Sequence, residues 1–305
     1  MEKEILSWLL EGPSWVKFAV EGQLLELQPD ARAVLQDKAI IRIIERLRNR
    51  QTGLPALKSG NVHYTALGKA YWDLFFLADI GLTIEQIELK DEAEEVFKFQ
   101  LPDGSFRIPP NVQPEYICMS AILIASLARM GYRDDPRIES YIKDIFRTQL
   151  PNGGWDCYGD NYGRESCPMD NQNILMLLGQ YESQRTNPRL KGAIDSLLRH
   201  WEERGHLYGF GVGKRFQALQ YPAVKYGILR VLDVLSLFPC AVKSSSFHSM
   251  IELIHSKAHE GKYIPENADP AFSDFDFGQT EEPSRWLTFL VARIEKRVSG
   301  HAENS

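Results

Sequence analysis

Two kinds of apolar segment alternate along the chain. In the first kind almost every residue is apolar, as between positions 70 and 78 and between positions 119 and 127. A helix that is apolar on all sides is buried on all sides. In the second kind, apolar residues such as Ile138, Ile142 and Ile145 recur at helical spacing between charged residues. This pattern predicts buried inner helices that alternate with amphipathic outer helices, and it predicts almost no strand.

The fully apolar segments predict a set of inner helices. These helices cover residues 15–27, 64–81, 116–132, 172–182, 221–237 and 285–298. Leu6, Leu9 and Leu10 would form the first, short outer helix. No linker-like or low-complexity stretch divides the chain, so we expect one domain over residues 1–305 that ends in a disordered tail at 300–305.

A short motif recurs about every fifty residues, where the amphipathic segments end. Its three clear copies are residues 51–53, 100–106 and 149–155. In the last two, a glutamine is followed four residues later by glycine and then by an aromatic residue. Weaker copies centre on Gly205 and Gly261. A helix that ends on a glycine in the left-handed conformation would explain each of these glycines.

Candidate starts of the outer helices recur with the same period. Thr83 and Gln86 have the spacing of a capping box, and Asp135 and Asn187 each precede a proline. Asp30 and Ser244 extend the series on either side. Because starts and stops share one period, the chain is predicted to be an all-α (α/α)6 toroid. It would contain about six helical hairpins, with the inner helices ringed by the outer ones.

The motifs at 100–106 and 149–155 resemble the QW motifs of the terpenoid cyclase and protein prenyltransferase superfamily. Residues 131–138 resemble the stretch that commonly opens an outer helix in that superfamily. The resemblance implies an α/α toroid, and more narrowly one of the small, stand-alone bacterial members. It says little about the reaction, since the QW elements are structural and a fold does not determine a function.

Composition and charge restrict the partners. The 305 residues carry a net charge of −6, and Lys and Arg are spread along the chain, so we expect no nucleic-acid partner. No apolar run reaches the roughly 18 residues of a membrane helix, so no integral membrane span is expected. The N-terminus lacks a signal-peptide pattern, which favours a cytoplasmic location. The expected partner is a small apolar or anionic ligand, with a protein partner as the alternative.

The lengths of the predicted connections indicate where a ligand would bind. Connections from inner to outer helices are short, and the reverse connections are long. Long loops often carry binding residues, and helix N-termini favour anions, so we expect any site at the N-terminal face of the inner helices. The candidate ligand-binding residues are His63, Tyr64, Trp72, Tyr116, Arg215, Tyr221, Lys225, Arg285 and Trp286. Their aromatic rings would line an apolar cavity and stabilise cations, or they would simply pack the helices together.

The most concentrated group of polar candidates consists of Asp156, Cys157, Cys167 and Asp170. Two cysteines and an aspartate suit zinc, which makes zinc the candidate cofactor and Cys157 and Cys167 its candidate ligands. Unlinked thiols and a disulfide are the alternatives. Protein prenyltransferases hold zinc with an Asp-x-Cys order, and the adjacent Asp156 and Cys157 depart from it.

The candidate catalytic residues are carboxylates. Glu115 paired with Asp156 or Asp170 would suit a carbohydrate-active enzyme, which needs two carboxylates across a groove. Asp274 and Asp276 keep two carboxylates of the DxDD motif of class II terpene cyclases and lack the third, and no DDxxD motif is present. We therefore interpret this pair as a solvated or capping loop and disfavour triterpene cyclisation. The expected functions are, in order, an isoprenoid-type toroid, a partner-binding scaffold and a carbohydrate-active enzyme.

Overall fold

The computed structural model describes residues 2–59, 70–106, 108, 117–156, 166–203, 213–223 and 227–303. Over these residues the protein is all-helical, and isolated bridges such as that between Gln100 and Phe106 take the place of strands. The predicted all-α class is confirmed. None of the described helices combines the length and the apolar character that crossing a membrane requires.

The helices are, in chain order, α1 (Lys3–Leu10), α2 (Ser14–Ala19), α3 (Arg32–Leu35), α4 (Lys38–Arg48), α5 (Ala70–Ile80), α6 (Lys90–Phe97), α7 (Ile117–Leu127), α8 (Pro136–Arg147), α9 (Pro168–Leu178), α10 (Glu182–Arg185), α11 (Lys191–Glu203), α12 (Gly213–Gln217), α13 (Ile228–Leu235), α14 (Pro239–Val242), α15 (Ser245–His255) and α16 (Arg285–Glu303). The π-helical segments Val20–Leu24 and Ala128–Tyr132 continue α2 and α7. Short 3₁₀ segments cover Leu54–Ser59, Pro188–Leu190 and Pro270–Phe272.

The chain divides into two compact units. The first comprises Met1–Ala39 and Leu197–Ser305, and the second comprises Ile40–Ser196. In the first unit α13 packs against α15 and α16, and α1 and α2 also contact α16. In the second unit α7 packs between α5 and α9. The single-domain interpretation of the sequence stays a prediction.

The buried helices lie where the apolar segments place them. Every residue of α5 and of α13 is buried, because these helices have no side that faces solvent. Two starts differ from the prediction. α9 begins at Pro168 rather than at position 172, because a proline is suited to the first helical position. α13 begins only at Ile228, after an extended Gly227, so Tyr221 precedes the helix.

The predicted capping box at Thr83 closes a turn and not an outer helix. The Thr83 amide donates to Gln86 Oε1 at 2.9 Å, and the Gln86 amide donates to Thr83 Oγ1 at 3.2 Å. The helix is interrupted because Glu88 takes a positive φ of 55°. The outer helix α6 therefore begins later, at Lys90.

The other predicted caps behave as follows. Asp135 and Ser244 cap α8 and α15, as predicted. Asn187 caps a 3₁₀ turn that leads into α11. Asp30 accepts from the Arg32 amide and starts only the short helix α3. Asp37 caps the longer outer helix α4, because its Oδ1 accepts from the Ala39 amide at 2.9 Å.

The described glycines of the repeated motif lie in turns that follow the amphipathic helices, so the prediction that they end these helices is wrong, and Gly205 lies outside the described residues. Gly104 and Gly153 have φ values of 92° and 84°, but α6 has already ended at Phe97 and α8 at Arg147. Each glycine amide donates back across a β-turn, from Gly104 to Leu101 O at 2.9 Å for example. A glycine is favoured at the last position of such a turn. Gly261 also has a positive φ, whereas Gly53 does not.

The glutamines of the motif join consecutive repeats. Gln100 Nε2 donates to Gly104 O at 3.1 Å and to Arg137 O at 2.7 Å. Gln149 Nε2 donates to Gly153 O and to Arg189 O, both at 2.8 Å. Each glutamine thus ties its own turn to the start of the next outer helix.

The backbones of neighbouring repeats also approach closely beside these glutamines. A Cβ atom added to Gly104 would lie 2.6 Å from Ser140 O, and one added to Gly153 would lie 3.0 Å from the Cα of Gly192. Gly192 lies near the start of α11. Since a side chain at either turn would meet backbone atoms, only glycine fits without a shift.

The C-terminal end of the chain differs from the prediction. α16 continues to Glu303, so residues 300–303 are helical and the predicted disordered tail is wrong for them. The helix gains support from contacts on the N-terminal segment. Lys296 Nζ donates to Leu24 O at 2.9 Å, and Arg293 donates to Gln23 Oε1 at 2.9 Å.

We expect Gln149→Ala to lower the free energy of unfolding by about 1–2 kcal/mol, because two hydrogen bonds between repeats are lost. Urea denaturation followed by circular dichroism measures this change. Gln51→Ala is the control, because Gln51 is exposed and belongs to an earlier copy of the motif, in which the glycine follows after two residues. Equal effects of the two substitutions would contradict the bridging role of Gln149.

Candidate functional site

The second unit contains a run of buried polar side chains at the start of α9. Asp170, Asn171, Gln172 and Asn173 are each at most 1% exposed. Polar residues rarely occupy such positions unless they have hydrogen-bond partners or a function.

Asn171 has a structural role. Its Oδ1 accepts from the Trp155 amide at 2.9 Å, and its Nδ2 donates to Ser166 Oγ at 2.8 Å. Trp155 is itself held, because its Nε1 donates to Ile145 O at 2.8 Å. These bonds fasten the turn after α8 to the beginning of α9.

Gln172 is different. Its side chain is fully buried, yet neither Nε2 nor Oε1 has a hydrogen-bond partner among the described residues. A buried polar group without a partner costs about 1–3 kcal/mol, so such a group calls for an explanation. Nothing in the spacing of the sequence singles out Gln172, although its place in an otherwise buried helix does.

The predicted metal and catalytic residues are only partly within the described chain. Cys167 and Asp170 are buried, and Asp156 is partly buried beside Trp155. Glu115 and Cys157 lie outside the described residues. No group of three or more His, Cys, Asp and Glu side chains in the described ranges could hold a metal ion. The zinc ligands and the pair of carboxylates therefore stay predictions.

In the first unit, two of the predicted aromatic residues come together with Trp15, the first residue of a predicted inner helix. The ring centroids of Trp15 and Trp286 are 5.4 Å apart, and those of Tyr221 and Trp286 are 5.5 Å apart. Phe275 and Phe277 complete the group, with their rings stacked at 5.3 Å and the Phe275 ring 5.3 Å from Trp15. We call these five residues the aromatic cluster. All five are buried.

Other predicted ligand-binding residues lie elsewhere. Trp72 is buried in α5 of the second unit, where it packs edge-to-face on Phe75 at 5.6 Å. Arg285 donates to Trp8 O at 2.9 Å, and its guanidinium lies 4.6 Å from the Trp8 ring, so it fastens α16 to α1. Arg215 is exposed on α12. The remaining candidates, His63, Tyr64, Tyr116 and Lys225, lie outside the described residues.

Asp276 is a functional candidate that the sequence interpretation set aside. Its Oδ2 accepts from the Trp286 amide at 3.2 Å, so it helps to cap α16. Its Oδ1 is buried and has no hydrogen-bond partner within the described ranges. Burial raises the pKa of this carboxyl, and the hydrogen bonds from the start of α16 only partly oppose the shift. The adjacent aromatic residues at positions 275 and 277 are the signal that could have revealed it.

Solved structures similar to this chain include a type II terpene cyclase. The apo structure of this enzyme, MstE from Scytonema, has 13% identity to this chain and a TM-score of 0.43, and the match covers 94% of this chain and 88% of that one. A variant of MstE in complex with geranylgeranyl dihydroxybenzoate, its substrate, has 12% identity and a TM-score of 0.42, with 93% and 86% covered. A protein from Actinoplanes has 13% identity and a TM-score of 0.42, with 94% and 90% covered. No protein-family model matches the sequence, and no curated protein matches it.

We expect Asp276→Asn to stabilise the protein at neutral pH. A pKa that is higher in the folded state than in the unfolded state means that stability falls as the pH rises from the ordinary aspartate range through the folded pKa. Asparagine does not ionise, so it removes this loss of stability. Its side-chain oxygen can still accept a hydrogen bond from the Trp286 amide. The gain at neutral pH therefore reports the free energy that the raised pKa of Asp276 costs the folded protein.

Thermal unfolding between pH 3 and pH 8 measures this effect. The stability gained by Asp276→Asn should become smaller as the pH falls. It should vanish at a pH below the pKa of an ordinary aspartate. Asp274→Asn, on the exposed side of the same loop, is the control and should show no such trend. A gain for Asp276→Asn that is independent of pH would refute the burial of this carboxyl.

Proposed function

We propose that this chain binds an apolar, isoprenoid-like molecule at the N-terminal ends of its inner helices, and that Asp276 protonates it. The observation that carries the proposal is the position of Asp276, whose pKa is raised by burial, in the same loop as two residues of the aromatic cluster. The QW-like motifs of the sequence are in keeping with it.

The aromatic cluster supports the choice of an apolar substrate. Trp15, Tyr221 and Trp286 are buried, and their rings together with those of Phe275 and Phe277 form one contiguous apolar group. The faces of aromatic rings carry partial negative charge and stabilise cations. A cation generated from a carbon–carbon double bond next to such rings would therefore be favoured over the same cation in an aliphatic pocket.

The environment of Asp276 supports its role as the acid. A carboxyl with a raised pKa keeps its proton at higher pH and can act as a general acid. The proton would move from Oδ1 to a carbon of the double bond, which forms a C–H bond and leaves a carbocation. The resulting carboxylate would be stabilised by the Trp286 amide and by the N-terminus of α16. The carbocation would then lose another proton, so that the net reaction is an isomerisation or a cyclisation.

The missing third carboxylate of the DxDD motif is compatible with this role. A neighbouring carboxylate and burial are alternative ways to raise the pKa of an aspartate, and Asp276 relies on burial. The proposed proton transfer therefore relies on one partly buried acid with a raised pKa.

The test is turnover in D₂O. We expect purified protein to convert geranylgeraniol or geranylgeranyl diphosphate into a product that carries one deuterium, detected by mass spectrometry. Asp276→Asn should abolish conversion and leave binding, measured by calorimetry, intact. Asp274→Asn should retain both. If the wild-type protein neither binds nor converts these isoprenoids, the proposal is wrong. If Asp276→Asn converts them as fast as the wild type, Asp276 is not the acid.

A second candidate function is a non-catalytic, partner-binding scaffold. The observation that favours it is the close contact of the cluster rings with one another, such as the 5.0 Å between the centroids of Tyr221 and Phe277. Rings in mutual contact stabilise a core whether or not a ligand is bound. Binding without turnover, unaffected by Asp276→Asn or Asp274→Asn, would favour this function.

A further inference from the structure

The buried amide of Gln172 in the second unit is separate from the aromatic cluster and from Asp276. Gln172 is 0% exposed, and neither of its polar atoms has a partner among the residues that the structure describes. The next glutamine along the chain does have hydrogen-bond partners. Gln180, just past the C-terminal end of α9, donates to Ala125 O at 2.9 Å and to Met176 O at 3.2 Å.

Helix geometry places the Gln172 amide toward the beginning of α9. Side chains of a helix lean toward its N-terminus, so we expect the amide to extend over the turn that contains Pro168 and Met169. Pro168 has no N–H group to offer to the glutamine oxygen. The start of the helix therefore leaves the amide without a local partner.

The same face of α9 carries a side chain that is not buried. Met169 and Gln172 are three residues apart and lie on one face, and Met176 follows one turn further on. Met169 is the one residue of α9 that is not buried. Methionine side chains adapt to the shape of what they contact. This face thus combines two flexible apolar side chains with a single unsatisfied amide.

We propose that Gln172 binds the uncharged hydroxyl group of an otherwise apolar small molecule. The side-chain amide donates hydrogen bonds through Nε2 and accepts them through Oε1. A hydroxyl group can accept from Nε2 and donate to Oε1 at the same time. An ether would satisfy only the donor. An anion would also leave Oε1 without a partner, and its burial without a countercharge is unfavourable. This inference does not depend on the proposed proton transfer.

The first test uses the protein without added ligand. Gln172→Met keeps the length of the side chain and removes both unsatisfied polar atoms, so we expect an equal or higher midpoint of thermal unfolding. Gln180→Met is the matched control and should lower the midpoint, because two hydrogen bonds are lost. If Gln172→Met lowers the midpoint as much as Gln180→Met does, the amide of Gln172 already has partners in the folded protein and the proposal fails.

The second test compares 1-hexanol, its methyl ether and hexanoate. Binding is followed through the side-chain amide resonances of Gln172 in ¹H–¹⁵N NMR spectra, assigned by their loss in Gln172→Met. We expect hexanol to shift these resonances and to bind about tenfold more tightly than the ether or the carboxylate, and Gln172→Met to remove this preference. Equal affinities in the wild type, no shift with hexanol, or a bound water that hexanol does not displace would overturn the proposal.

Discussion

Helices α5 and α13 are buried on every side, and this constraint determines how their polar groups are used. Asp73 in α5 is almost fully buried, and Arg46 pairs with it through hydrogen bonds of 2.9 and 2.7 Å. Burial raises the pKa of Asp73, and this guanidinium opposes the shift. Asp79 in the same helix is matched by Arg129 at 3.0 Å. Asp73 and Asp79 thus have charged partners, whereas neither polar atom of Gln172 has a hydrogen-bond partner among the described residues.

Much of the fold follows from the pattern of apolar residues, because burial on all sides leaves a clear trace in the sequence. The fully apolar run of α5 and the capping residues Asp135 and Ser244 were predicted correctly. The errors in the predicted helix starts arose where two local sequence signals favour different structures. The capping box at Thr83 forms, but the left-handed conformation of Glu88 stops the helix at once. At α9, the polar residues from position 170 onward concealed a helix start that Pro168 marks.

The candidate site was harder to predict, because its parts are distant in the sequence. Trp15, Tyr221 and Trp286 were each predicted near the start of an inner helix, but the pattern gives no information on which rings meet. The role of Asp276 depends on tertiary burial, which no local spacing reveals. A two-carboxylate loop was therefore interpreted as solvated, although one of its carboxyls caps a helix that begins at residue 285.

The contact between Gly153 and Gly192 has a consequence for how the sequence can vary. A Cβ atom on Gly192 would lie 2.1 Å from Asn152 O, and one on Gly153 would lie 3.0 Å from the Cα of Gly192. Glycine within a helix is less favourable than alanine by about 1 kcal/mol. Gly192 therefore lowers the intrinsic stability of α11. Neither residue can be enlarged alone while the distance between the two repeats is kept. Evolutionary replacement of Gly153 or Gly192 should therefore require a compensating replacement nearby. We expect these two positions to be among the slowest-evolving positions of the repeat.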